Sequence, residues 1–130
     1  MKKYVFYVLF SGILMLLLAS CVTMQAKEST RLNLVKEWAG KEAEEFFLIY
    51  GLPEAEFVRS AGGKIYQWKS DVNNYIVGLD YGGIYTGSSV YIYCVLNITV
   101  DENNLIQDIL LVKDTEGIWQ SSRFYEIFHE

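Results

Sequence analysis

The residues able to do covalent or acid–base chemistry are few and poorly matched to any catalytic set. His129 is the only histidine and stands next to last in a chain of 130 residues. A Ser–His–acid triad, a Cys–His dyad and a multi-histidine zinc site therefore all fail on inventory. Two cysteines, Cys21 and Cys94, are too few for a cysteine-rich metal centre and form no CxxC pair. Cys94 sits at an apolar position of an alternating segment and reads as a small buried hydrophobe. Carboxylates abound, and a glycosidase-like mechanism needs two of them flanking one bond. Glu42, Glu44, Glu45, Glu54 and Glu56 fall at predicted helix ends or loops, where dipoles and solvation explain them. Asp101-Glu102-Asn103-Asn104 reads as a turn and lacks the spaced ligands of an EF-hand loop. Gly82-Gly83-Ile84-Tyr85-Thr86-Gly87 has the glycines of a phosphate-binding loop but no lysine, and opens no helix. The expectation is a non-enzymatic chain with no catalytic residue, no metal and no cofactor.

Cys21 is the residue with a chemical assignment. Lys2 and Lys3 open the chain, and an apolar run from Tyr4 to Ala19 follows, broken only by Ser11 and Gly12. That run falls short of the ~20 apolar residues of a comfortable span and ends in small residues, as export signals do. Its exit, Leu18-Ala19-Ser20-Cys21, resembles the lipobox of bacterial lipoprotein precursors. The resemblance implies a thiol alkylated with diacylglycerol, removal of the signal, and acylation of the new amino terminus. Each buried methylene of such chains adds ~0.8 kcal/mol of membrane affinity. The expected organisation is a signal peptide over 1–20, a lipidated tether over 21–30 and one domain over 31–130. Val22 is not the acidic residue that retains some lipoproteins at the inner membrane, so the expected address is the outer membrane of a bacterial envelope.

Loss of Lys2 and Lys3 leaves nine basic residues against sixteen acidic ones, a formal charge of −7. An acidic domain of this kind does not seek phosphate backbones, which argues against nucleic acid. Nor does it adhere electrostatically to anionic lipid, which leaves the lipid at Cys21 as the membrane contact.

The elements behind the tether read as two short helices and then strands. Ser29 or Thr30 is placed to cap a helix over Arg31 to Ala39, interrupted by Gly40. A second helix over Lys41 to Tyr50 carries Ala43, Phe46, Phe47 and Tyr50 on one stripe, and Gly51 and Pro53 end it. A hairpin is expected from Glu56–Ser60 and Lys64–Ser70 about Ala61-Gly62-Gly63. A strand follows over Asn74 to Tyr81, with Tyr75, Val77, Leu79 and Tyr81 of one parity, and then a flexible loop over Gly82 to Ser88. The clearest strand is Ser89 to Val100, whose even positions are all apolar. Leu105 to Lys113 returns, and Gly117 to Phe128 is ambiguous between helix and strand. The fold class is α+β: two short N-terminal helices packed on one face of a small antiparallel sheet, in two layers.

The order of landmarks resembles that of the small BamE/SmpA-like outer-membrane lipoproteins over roughly Leu32 to Val112. It runs Trp38-x-Gly40, Gly51-x-Pro53, Gly62-Gly63-Lys64-Ile65-Tyr66, Cys94 within a strand, and Val100-Asp101 at a turn followed by Ile106. The resemblance implies two helices on a small antiparallel sheet behind a lipobox, and a role in envelope assembly. Two features depart from it. The tail Asp114-Thr115-Glu116-Gly117-Ile118-Trp119 has no second cysteine, and the tyrosine-rich stretch about Tyr85 finds no counterpart.

The aromatic residues remain. Tyr91 and Tyr93 fall opposite the core stripe, on a face that Tyr66 or Trp68 is expected to share. Either the tail, with Trp119 and Phe124, covers them, or they form a docking surface together with Tyr85. The functional expectation is a lipid-anchored interaction module with an envelope protein as partner. An apolar- or glycan-binding lipoprotein is the alternative, and a carboxylate-dependent hydrolase a third reading.

Overall fold

The computed structural model describes Tyr7, residues 24–116 and residues 122–129, and within 75–77, 79–81 and 84–86 the backbone alone. Apart from Tyr7, the expected signal segment over 1–20 lies outside the described residues, as do Cys21 and Trp119. The chain is an α+β domain. Helical residues 24–38 (α1) lead into α2 (Ala43–Tyr50), followed by β1 (Ala55–Val58), β2 (Lys64–Lys69), β3 (Asn73–Tyr81), β4 (Ile84–Ile92), β5 (Cys94–Val100), β6 (Ile106–Asp114) and α3 (Arg123–Phe128). The strands form a four-stranded sheet in the order β1-β2-β5-β6 and a two-stranded sheet of β3 and β4, with every pairing antiparallel.

The first helix begins earlier than the sequence suggests. Residues 24–30, expected to be tether, are helical, and Thr30 is buried within the helix rather than capping it. Its hydroxyl donates to the Ala26 carbonyl at 2.9 Å, so Thr30, Leu34 and Trp38 form one buried i, i+4, i+8 stripe. The polar residues of this turn are used in tertiary contacts. Lys27 lies 3.0 Å from Asp114, and Arg31 bonds Glu28, Asp108 and the Ile109 carbonyl. Polarity alone does not distinguish a solvated tether from a helix whose charges have distant partners.

The link between α1 and α2 is stitched to β6. Gly40, at φ +80°, donates to the Ile106 carbonyl at 2.8 Å, Ile106 donates to Lys41, and Ala43 donates to Asn104. These bonds satisfy backbone donors that a helix start leaves open, and Glu42 makes no side-chain cap. The helix α2 then buries Ala43, Phe46 and Phe47 against the sheet. Phe46 is the hub, with ring centroids 5.2 Å from Trp38, 4.6 Å from Tyr50 and 5.8 Å from Trp68.

The sheet answers with one parity of β5: Cys94, Leu96, Ile98 and Val100 are fully buried. Tyr66 pairs with Ile98 and Trp68 with Leu96, so both aromatics of β2 face the helices. The expectation that either shares the outer face with Tyr91 is wrong, because strand periodicity leaves register open and register alone decides the face.

The expected strand Ser89–Val100 is two strands broken at Tyr93. Its partners run out there: β2 ends at Lys69 and β6 at Asp114. Hydroxyls continue the hydrogen bonding, since Ser70 Oγ accepts from Cys94 N–H at 3.0 Å and Thr115 Oγ1 accepts from Tyr93 N–H at 2.6 Å. Beyond the break the chain changes partner to β3. The expected loop Gly82–Ser88 is mostly strand, because Gly82 and Gly83, at φ +62° and +89°, make a two-residue turn and Tyr81 already pairs with Ile84.

The described part of the C-terminal segment, whose period was ambiguous over Gly117 to Phe128, is helical over Arg123–Phe128. Ser122 caps α3 by accepting from Tyr125 N–H, and Phe124 is fully buried. Asp114, whose side chain is 5% exposed, accepts from Phe124 N–H at 3.0 Å and from the Ser122 hydroxyl, and pairs with Lys27. One carboxylate thus joins α1, β6 and α3. Burial works against the Lys27 charge, but hydrogen bonds and attraction from Asp114 and Glu116 outweigh it and raise its pKa above 10.5. Lys27→Met keeps the apolar stem and leaves Asp114 without a cation. We expect a loss of about 1–3 kcal/mol in urea unfolding, whereas a solvated tether residue would cost nothing measurable.

Candidate interaction surface

The site most open to a partner begins where β4 leaves the packed sheet. Tyr93 occupies the corner, flanked by the ends of β2 and β6, because Lys69 and Lys113 both pair with Val95. The two ammonium groups lie 4.7 and 4.8 Å from the Tyr93 ring centroid, and Lys113 also donates to its hydroxyl. Each such contact contributes about 0.5–1 kcal/mol at a partly exposed site. The ring is therefore held by the chain itself and is half-buried. Tyr91 is the converse, 57% exposed on β4 opposite Asn74. Tyr85 has its backbone in β4 opposite Asp80, and its side chain lies outside those described. The three tyrosines marked in the sequence thus differ: one exposed, one clamped, and one placed only by its backbone.

The described part of the tail does not cover Tyr91. Phe124 and Phe128 sit in the helix layer, Phe128 with its centroid 5.9 Å from Trp68 and 5.1 Å from Tyr50. The sequence reading missed two further apolar surfaces. Leu48, Ile49 and Leu52 are exposed at the end of α2, with Leu48 at 87%. Phe57, Leu110 and Val112 are exposed on the main sheet. The signal for the first was present, since Leu48 and Ile49 fall off the Ala43–Phe46–Phe47–Tyr50 stripe.

The aromatics that a ligand pocket would require are packed on one another in the core, as Trp38, Phe46, Tyr66 and Trp68. A surface groove is lined by Glu44, Val58, Lys64, Tyr66, Asp101 and Glu102. Asp101 is committed to its turn: Oδ1 accepts from Asn103 N–H at 2.8 Å and Leu105 N–H at 2.9 Å, and Oδ2 from Gln107 at 3.2 Å. Among the described residues no group of three His, Cys, Asp or Glu side chains is gathered to hold a metal, and no helix is long and apolar enough to cross a membrane.

Cys94 is the one buried thiol among the described residues. Burial pushes its thiol pKa up from 9.0 to about 11, opposed by the hydrogen bond with Ser70. A thiol so placed is neutral and shielded at physiological pH.

Two outcomes follow. Tyr93→Ala loses about 1–2 kcal/mol through both cation–π contacts, while Tyr91→Ala stays within about 0.5 kcal/mol of the parent in chemical denaturation. Because the folded thiol pKa is raised, the Cys94 contribution to stability is complete below pH 9.0 and lost between pH 9.0 and about 11. Iodoacetamide at pH 8 should accordingly leave Cys94 unmodified in the folded protein and alkylate it in urea.

Compared with known protein families, with curated proteins and with solved structures, the chain matches none.

Proposed function

We propose that this chain is a non-enzymatic lipoprotein of the bacterial envelope, moored through acyl chains on Cys21, which presents its β3–β4 ribbon to another envelope protein. The observation that carries the interaction role is the ribbon itself. It comprises nine paired positions with Tyr91 exposed, and no third strand joins it among the described residues. A two-stranded ribbon is marginal alone in water, so a partner surface adds to its stability. Support for the anchor comes from the sequence: the apolar run over 4–19 and Leu18-Ala19-Ser20-Cys21 directly after it. Two N-terminal helices on an antiparallel sheet are what the BamE/SmpA-like resemblance implies, which supports a place in envelope assembly, with the outer membrane as address. The ribbon would then be this chain's own means of choosing a partner.

Mass spectrometry of the full chain produced in a bacterial host tests the anchor. The mature species should begin at acylated Cys21, and Cys21→Ala should stay unacylated and keep its leader. Acylation of the Cys21→Ala chain would sink the anchor. For the partner, a photo-crosslinker at Tyr91 should capture one envelope protein that a crosslinker at exposed Lys36 does not; equal capture from both positions would discard the ribbon as the docking element.

A further inference from the structure

The outer edge of β4 combines features that sheet edges usually avoid. Proteins blunt an exposed edge with charge, proline, a bulge or a short strand, because its open N–H and C=O groups invite another chain. The β4 strand is nine residues long, Ile-Tyr-Thr-Gly-Ser-Ser-Val-Tyr-Ile, with no charge and no proline. Its register with β3 runs unbroken from Ile84 to Ile92, without a bulge. Across 73–92 the only charged residue is Asp80, and it lies on β3. Gly87, Ser88, Ser89 and Tyr91 are exposed, so the middle of the edge is open among the described residues.

The strand is also self-complementary. If two copies of β4 lie antiparallel about a two-fold axis at Ser88, Ser88 meets its own counterpart and Gly87 meets Ser89. Thr86 then meets Val90, Tyr85 meets Tyr91, and Ile84 meets Ile92. Every pair joins residues of like parity, so each face of one ribbon continues into the same face of the other. Tyrosine opposite tyrosine, and isoleucine opposite isoleucine, are favourable cross-strand pairs, and no like charges face one another. A two-fold contact of this kind uses one surface twice and closes on itself. The charge pattern favours the same occupant: the chain carries a formal charge of −5, yet the approaching strands carry none.

We propose that β4 pairs with β4 of a second copy of this chain, joining two ribbons into a four-stranded sheet. The dimer presents the Tyr91 face twice, and it stands independently of which envelope protein that face engages.

The test uses the full chain purified in detergent, measured by sedimentation and native mass spectrometry. The parent should be a dimer. Ser88→Lys places two like charges across the axis and should weaken association at least tenfold while leaving the far-ultraviolet dichroism unchanged. Ser88→Cys should form a covalent dimer under mild oxidation, because antiparallel partners bring Cα atoms within disulfide reach. Lys36→Cys, on the exposed side of α1, should crosslink no faster than the parent with its native cysteines. A monomeric parent at about 100 µM overturns the proposal, whether or not Ser88→Lys loses an envelope partner. So does a dimer insensitive to Ser88→Lys, or a Ser88→Cys chain that crosslinks no faster than Lys36→Cys. Acylation at Cys21 is read in a separate experiment, so failure of the anchor and failure of the dimer are distinguishable.

Discussion

The even-numbered face of one strand has to be kept from water, and most of the architecture serves that end. Cys94, Leu96, Ile98 and Val100 of β5 are fully buried. Burying a side chain of this size stabilises by about 1.5–3 kcal/mol relative to exposure. Phe46 is the element that closes over the stripe, because it touches aromatics of α1, α2, β2 and α3 at once.

The break at Tyr93 separates a packed part of the chain from an open one. On one side β5 has neighbours on both edges and aromatics above it. On the other side β4 has one neighbour, β3, among the described residues. The corner is held by short-range polar contacts: Ser70 and Thr115 end the ladders, and Lys69 and Lys113 grip the Tyr93 ring. Tyr91 is exposed on the ribbon, while Tyr93 is engaged by two lysines. The near absence of charge between 73 and 92 contrasts with the acidic remainder and suits strand pairing better than electrostatic capture.

Much of this was legible in the residues. The α2 stripe, the Gly62-Gly63 hairpin, the Asp101–Asn104 turn and the alternation of β5 all follow from local periodicity and turn chemistry. The places that went unread share one cause. Lys27 looks like tether because its partners, Asp114 and Glu116, lie at the far end of the chain, and Arg31 adds Asp108, 77 positions away, to its local partner Glu28. Tyr66 and Trp68 alternate equally well onto either face until their register with β5 is known. The split at Tyr93 depends on where β2 and β6 end, a property of other segments. Of the three tyrosines singled out, Tyr91 is exposed and Tyr93 is held between two lysines, and nothing near Tyr93 in sequence reveals a lysine on each side of its ring.

The sequence alone determined the inventory and the patterns: one histidine, two cysteines, an apolar run that ends at a lipobox-like cysteine, an acidic charge balance, and an α+β succession of periods. These are properties of residue type and spacing along the chain, and folding does not alter them. Tertiary structure decided which tyrosine is free, which aromatics enter the core, where a long strand changes partner, and that β4 offers an uncharged edge. The burial of Tyr66 and Trp68 turns on pairing between β2 and β5, far apart in sequence, and a register shift of one residue would have reversed it.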